Sequence, residues 1–270
     1  MAKRKLEIAI LSDIHLGTYG CRAKEVTEYL KSIKPEMLIL NGDIIDIWQF
    51  NKRFWPKAHM QVLKELVKIA AKGTPVYYLT GNHDEMLRKF SDASLGNFHL
   101  MDQLEIEIDG KKAWIFHGDV FDASIQHAKW LAKLGGLSYD FLIMINNLVN
   151  GILSRLGRPK MSFSRSIKNG VKQAVKYIGD FEKVAAERAD RKGVDYVICG
   201  HIHQPQVRSL VGAQGSFMYL NSGDWIENLT ALEYNEGEWK LYFYEGEESS
   251  KKRKLKKSKR PDPRPEMSLA

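Results

Sequence analysis

Five short polar motifs hold most of the residues able to do chemistry: Ser12-Asp13-Ile14-His15, Asn41-Gly42-Asp43, Gly81-Asn82-His83-Asp84, Phe116-His117-Gly118-Asp119 and Gly200-His201-Ile202-His203. Each directly follows an apolar run. Carboxylate, amide and imidazole groups dominate and thiolate is absent, which suits divalent cations such as Mn2+, Fe2+ or Zn2+. Asp-x-His and His-x-His set alternate side chains on one side of an extended segment, so both members of a pair can reach one centre. Asp13, His15, Asp43, Asn82, His117, His201 and His203 are therefore candidate ligands of two cations. A bridging carboxylate lets such a pair sit roughly 3.5–4 Å apart, and Asp43 is the candidate bridge. Taken singly, each histidine is more simply a hydrogen-bonded partner, and Gly-Asn-His-Asp is a good turn. Five such motifs in series, each at the end of an apolar run, are not explained that way.

The elements that must position these motifs are legible as β-branched and aromatic runs. Residues 6–11, 37–40, 76–80, 104–108, 113–117, 195–199, 217–221, 229–234 and 239–244 read as strands. Residues 22–33 and 56–71 read as helices, with Pro56 in a first turn and Gly73 as a stop. Asp109-Gly110 is a hairpin turn. The expected class is α/β, two packed and mostly mixed sheets flanked by helices. Loops beyond the strand ends of such sheets converge on one crevice. Residues 122–192 contain no convincing strand and read as a helical insertion, a lid, in a body formed by 1–121 and 193–245. Residues 246–270 are rich in Lys, Ser, Glu and Pro and lack the apolar content to fold.

Of the 270 residues, 44% are hydrophobic and 10% aromatic, enough for one large domain with an insertion. Two cysteines far apart, Cys21 and Cys199, argue against a disulfide framework and fit a reducing cytosol. Cys199 reads as a small buried hydrophobe. No apolar signal region opens the chain and no apolar run is long enough to span a bilayer, so a cytoplasmic protein is expected.

The net charge of +8 is unevenly spread: residues 141–179 carry seven Lys or Arg and no acid, and residues 245–270 nine basic and five acidic residues, leaving the body at −3. Such asymmetry implies an anionic partner, nucleic acid or a lipid surface. On a helix, Ile167, Val171, Ala174, Val175 and Ile178 share one side, while Arg165, Lys168, Lys172 and Lys176 form a second stripe that could bind substrate or headgroups. The same insertion is rich in Leu, Ile, Met and Phe, a mixture that favours a lipid surface. No obligate protein partner is evident. His59 reads as a surface residue, His99 as part of a turn, and His127 as a non-ligand near the start of the insertion. Trp48, Phe50, Phe54 and Trp55 read first as a packing cluster, with contact to a nucleobase or acyl chain as the alternative.

The motif series resembles the calcineurin-like metallophosphoesterase superfamily over residues 6 to about 234. That resemblance implies an αββα sandwich. It implies that Asp13, His15, Asp43 and His203 bind one metal and that Asp43, Asn82, His117 and His201 bind the second. His83 would be the catalytic imidazole, Asp84 would orient it, and Asp119 would support His117 or face solvent. A narrower likeness rests on the tryptophan after Gly42-Asp43-Ile44-Ile45-Asp46-Ile47, the insertion after His117-Gly118-Asp119, and Asn221-Ser222-Gly223-Asp224-Trp225. These look like the UDP-2,3-diacylglucosamine hydrolases. The likeness implies Mn2+-dependent cleavage of a lipid-linked UDP-sugar to UMP and a lipid phosphate in lipid A synthesis, peripherally at the inner membrane. One residue departs: the best-known members carry arginine where this chain has His83. A metal-dependent phosphodiesterase or nuclease, acting on nucleic acid or another nucleotide-linked lipid, is the alternative. A non-catalytic scaffold fits least, because the ligand set is complete.

Overall fold

Alternating apolar side chains along β1 (Arg4–Leu11) bury both of its faces: Ile8 and Ile10 point to one side, Ala9 and Leu11 to the other. A strand buried on both faces belongs in the middle of a covered sheet. The computed structural model describes residues 3–48, 54–121 and 164–245, and the side chains of its longest helix from Lys176 onward. Along the chain, β1 is followed by α1 (Ala23–Ser32), β2 (Ile33–Asn41), α2 (Lys57–Ala71), β3 (Val76–Leu79), β4 (Ala93–Leu95), β5 (Phe98–Met101), β6 (Gln103–Ile108) and β7 (Lys111–Phe116). Then come α3 (Ser164–Lys192), β8 (Tyr196–Cys199), β9 (Gln206–Val211), β10 (Ser216–Asn221), β11 (Thr230–Asn235) and β12 (Glu238–Phe243).

A seven-stranded sheet runs β12-β11-β1-β2-β3-β5-β4 and a five-stranded sheet β6-β7-β8-β10-β9. In the first, β1, β2, β3 and β5 are mutually parallel; in the second, β7, β8 and β10 are. Ile10, Ile39, Leu79, Ile115, Ile198 and Leu220 fill the space between the sheets. The first sheet's outer face is covered by α1 and α2 through Val26, Leu30, Val62 and Leu66. The second is covered by α3, whose Phe181, Ala185 and Ala189 pack against Phe116, Val197 and Tyr219. The result is the four-layer α/β sandwich expected from the strand pattern.

Three strands go beyond the nine read from the sequence. β4 is short and wholly exposed, β5 has no fully buried residue, and β9 is a half-exposed edge strand, so none carries an apolar run. His99 accordingly lies on β5, stacked on Tyr77, and not in a turn. His59 is buried rather than at the surface, because α2 turns it inward with Val62, Leu66 and Ile69. The second half of the expected insertion is the single helix α3. Residues 122–163, with His127, and 246–270 lie outside the described residues, as does Phe50.

Candidate metal centre

All five motifs leave the C-terminal ends of parallel strands: β1, β2 and β3 on one sheet, β7 and β8 on the other. Backbone hydrogen bonds tie the loops together. Asp13 N–H donates to Gly42 O (3.1 Å), His15 N–H to Asp43 O (2.9 Å) and Gly200 N–H to His117 O (2.9 Å). Asp13, His15, Asp43, His201 and His203 all hold left-handed backbone, with φ between 51° and 67°. Non-glycine residues rarely stay there, and such strain gathers at functional sites. Glycines make the room. A Cβ on Gly42 would collide with the His117 ring, and one on Gly81 with the Asp43 carboxylate.

Each central carboxylate is divided between two tasks. Asp43 Oδ1 accepts from His83 N–H (2.8 Å), while Oδ2 faces His117 Nε2 (3.2 Å) and His15 Nε2 (4.0 Å). Asp13 Oδ2 accepts from His201 N–H (3.1 Å), while Oδ1 faces His203 Nε2 (3.1 Å) and His15 Nε2 (4.0 Å). The ligand atoms of Asp13, His15 and His203 lie within 4.8 Å of one another, as do those of Asp43, His117 and His201, and those of His15, Asp43 and His83. Asn82 adds an amide whose Oδ1 is buried without a hydrogen-bond partner. Asp13 Oδ1, His15 Nε2 and His117 Nε2 are likewise buried without a hydrogen bond of good geometry. Buried polar atoms are normally satisfied. Lone pairs left unsatisfied and turned toward one another fit divalent cations.

Electrostatics point the same way. Burial opposes charge on Asp13, yet the His203 and His117 rings beside it hold its carboxyl down at about 2. Asp43 is also held low against burial, by His117, His15 and His83. In return Asp13 lifts His203 against burial to about 9, and Asp43 and Asp13 lift His117 well above the usual imidazole range. The two ionised carboxylates demand positive charge. Cations would supply it while the imidazoles gave up their protons.

The other nitrogens of two site imidazoles are hydrogen-bonded and that of a third has an acid beside it. His117 Nδ1 lies 2.9 Å from Asn41 O, His15 Nδ1 lies 3.4 Å from Asp46 Oδ2, and Tyr177 Oη stands 3.2 Å from His201 Nε2. His83 is the fourth imidazole with a partner, but not the one expected. Asp84 is occupied elsewhere: its carboxylate accepts from Gly81 N–H (2.5 Å), Ile44 N–H (3.0 Å) and the Tyr78 hydroxyl (2.5 Å). Asp46 Oδ2 stands 2.9 Å from His83 Nδ1 and, with Asp43, raises its pKa against burial. Asp84 thus braces the loop, and Asp46 is the acid that stands beside the imidazole. Asp119 pairs with Arg88 (2.6 Å), not with His117.

Sequence reasoning missed Asp46, Tyr177 and the inward turn of His59, whose Nδ1 accepts from Gly17 N–H (3.0 Å). A signal existed for each. Asp46 is an acid inside the apolar run 44–47; His59 shares a helical stripe with Val62, Leu66 and Ile69, and Tyr177 shares one with Phe181 and Ala185. Of the basic stripe, Arg165, Lys168 and Lys172 lie on α3 ahead of its described side chains, and Lys176 is exposed. Trp48 is 57% exposed beside His83, with ring centroids 4.8 Å apart, so it rims the site rather than packing in the core.

The family model for calcineurin-like phosphoesterases matches residues 6–205. The chain is similar to the UDP-2,3-diacylglucosamine hydrolase of Aliivibrio fischeri, at 24% identity over 250 residues, covering 88% of this chain and 98% of that protein. It is similar to the enzyme of the same name from Vibrio cholerae, at 26% over 242 residues, covering 83% and 93%. Among solved structures it matches a phosphoesterase from E. coli, at 14% identity and a TM-score of 0.40, covering 85% of this chain and 88% of that one.

Proposed function

The chain belongs to the calcineurin-like phosphoesterase family, and from that premise we propose that it is a two-metal pyrophosphatase cleaving UDP-2,3-diacylglucosamine to UMP and 2,3-diacylglucosamine 1-phosphate. The observation that carries the metal reading is the shared position of Asp43. Its Oδ2 faces His15 on one side and His117 on the other, between the group Asp13-His15-His203 and the group that Asp43 forms with His117 and His201. The substrate is carried over from the relatives' names, supported by alignment over most of both chains.

Asp13, His15, Asp43 and His203 would hold one cation; Asp43, Asn82, His117 and His201 would hold the other. Mn2+ is the proposed metal, in keeping with the oxygen and imidazole donor set. Bound there, the cations would supply water activation near neutral pH and neutralisation of phosphoryl charge. His83 supplies the proton. Its Nδ1 lies 2.9 Å from Asp46 Oδ2, and Nε2, 4.0 Å from Asp43 Oδ2, is presented to the cluster, where it can protonate a leaving oxygen. Asp13 and Asp43, each anchored by one oxygen on a backbone N–H, keep their other oxygen oriented without reorganisation.

Residues 122–192 would form a lid on the body made of 1–121 and 193–245. Arg165, Lys168, Lys172 and Lys176 would face anionic headgroups, placing the protein peripherally on the inner membrane. Among the described residues no helix is long and apolar enough to cross a membrane.

The test is product analysis by mass spectrometry with Mn2+ and three substrates: the lipid-linked UDP-sugar, bis-p-nitrophenyl phosphate and single-stranded DNA. UMP and a lipid 1-phosphate in equal amounts are expected. Cleavage of DNA with none of the UDP-sugar would replace this reading with the nuclease one.

A further inference from the structure

One turn of α3 enters the metal centre from outside both sheets. Phe181 is fully buried, and a Cβ on Gly118 would come within 2.7 Å of its ring, so the helix sits against the backbone next to His117. Its ring also lies 6.1 Å from that of His201. Four residues earlier, on the same helical face, Tyr177 brings its hydroxyl to 3.2 Å from His201 Nε2. An imidazole has two nitrogens, and a neutral one can donate through only one of them. His201 also offers one ligand atom within 4.8 Å of those of Asp43 and His117, and with Nε2 beside the tyrosine hydroxyl we assign that role to Nδ1.

The neighbouring histidines obey the same rule with other holders. The Asn41 carbonyl bonds His117 Nδ1 and leaves Nε2 toward Asp43, and His15 Nδ1 lies 3.4 Å from Asp46 Oδ2 with Nε2 toward Asp13 and Asp43. Those holders belong to the β2 strand end and its loop. The holder of His201 alone belongs to α3.

We propose that Tyr177 is a positioning residue for the metal centre: its oxygen accepts the Nε2 proton of His201, holding the ring in the orientation that presents Nδ1 to the cation shared with Asp43 and His117. This rests on the two-metal reading above and deepens it. It also makes the seating of α3, the helix that carries the basic stripe, a condition for full affinity at one of the two cation positions but not at the other. Partners that orient a ligating imidazole typically contribute about 10–100-fold in metal affinity.

The test uses the full-length chain and Mn2+ alone, titrated against a chromophoric chelator, for the wild type and Tyr177→Phe. Phenylalanine keeps the ring and removes only the hydroxyl. The wild type is expected to bind two Mn2+ per chain. The variant should bind one of them about 10–100-fold more weakly and the other as before. Its metal-free melting temperature should be unchanged, because the packing against Phe181 remains. Imidazole 15N NMR should show His201 as the Nε2–H tautomer in the wild type and a mixture in the variant. Two Mn2+ bound by the variant with wild-type affinities would overturn the role of Tyr177. Equal weakening at both positions would do so as well, since it would mark a general structural effect. A wild type that binds no Mn2+ would refute the metal reading itself, a result distinguishable from the other two.

Discussion

The two sheets contribute different halves of the site. From the first come the carboxylates Asp13, Asp43, Asp46 and Asp84, together with Asn82, His15 and His83; from the second come the imidazoles His117, His201 and His203. Negative charge is thus delivered from one side, and the imidazoles that pair with it from the other. The difference teaches which half depends on which. His117 and His203 lean on Asp43 and Asp13 across the gap, at 3.2 and 3.1 Å. No acid of the second sheet's loops stands in a candidate metal group among the described residues. Loss of a first-sheet carboxylate should therefore disturb both halves, whereas loss of a second-sheet imidazole should disturb one.

Asp43→Asn is the sharpest way to break that asymmetry. It removes the charge common to both cation positions, and the variant should lose most bound metal and nearly all turnover. Plasma emission spectroscopy of the purified variant decides it, because two retained ions with ordinary turnover would mean Asp43 is no bridge.

His83→Ala comes next in expected size. His83 forms a candidate group with His15 and Asp43, so it could be read as a ligand. The account makes it the proton donor. Both metals should stay, and kcat should fall by roughly 10²–10⁴-fold. A missing metal would move His83 into the ligand set.

Asp46 and Asp84 separate orientation from bracing. Asp46→Asn should lower kcat about 10–100-fold, since this carboxylate oxygen stands by both His15 and His83. Asp84→Asn replaces an acceptor that takes three hydrogen bonds in a fully buried place. It should cost about 1–3 kcal/mol of stability, visible as a lower melting temperature, with a smaller effect on kcat of the folded enzyme. A reversed pattern would restore Asp84 as the orienting group.

The smallest expected effect belongs to the basic tail. Removing residues 246–270 should leave kcat on a soluble substrate unchanged, because that run is charge without apolar periodicity. Its contribution would be at an anionic lipid surface, about 1 kcal/mol per basic residue close to it. A truncated chain that fails to fold would contradict this.

The comparison of sheets also explains what the sequence made legible. A motif is visible when rare polar residues follow an apolar run directly, as Asp13, Asp43, Asn82, His117 and His201 do. Strands β1, β2, β3, β7 and β8 were legible for the same reason: they are buried and therefore apolar. Edge strands β4 and β9 have no such burden and left no run. Pairing between side chains was not legible. Asp84 is adjacent to His83 in sequence, but its carboxylate turns down to Tyr78 and Gly81, while Asp46 reaches His83 from 37 residues away. Only the register of β2 against β3 settles which acid meets which imidazole. Tyr177 is the extreme case, reaching the site from a helix that supplies no ligand.

The central claim is that two cations share Asp43 between the two sheets. Anomalous diffraction at the manganese edge, from crystals of the full chain grown with Mn2+, addresses it directly. The account predicts two peaks roughly 3.5–4 Å apart on either side of the Asp43 carboxylate, one beside His15 and His203 and one beside His117 and His201. A single peak, or two peaks that do not both contact Asp43, would contradict it.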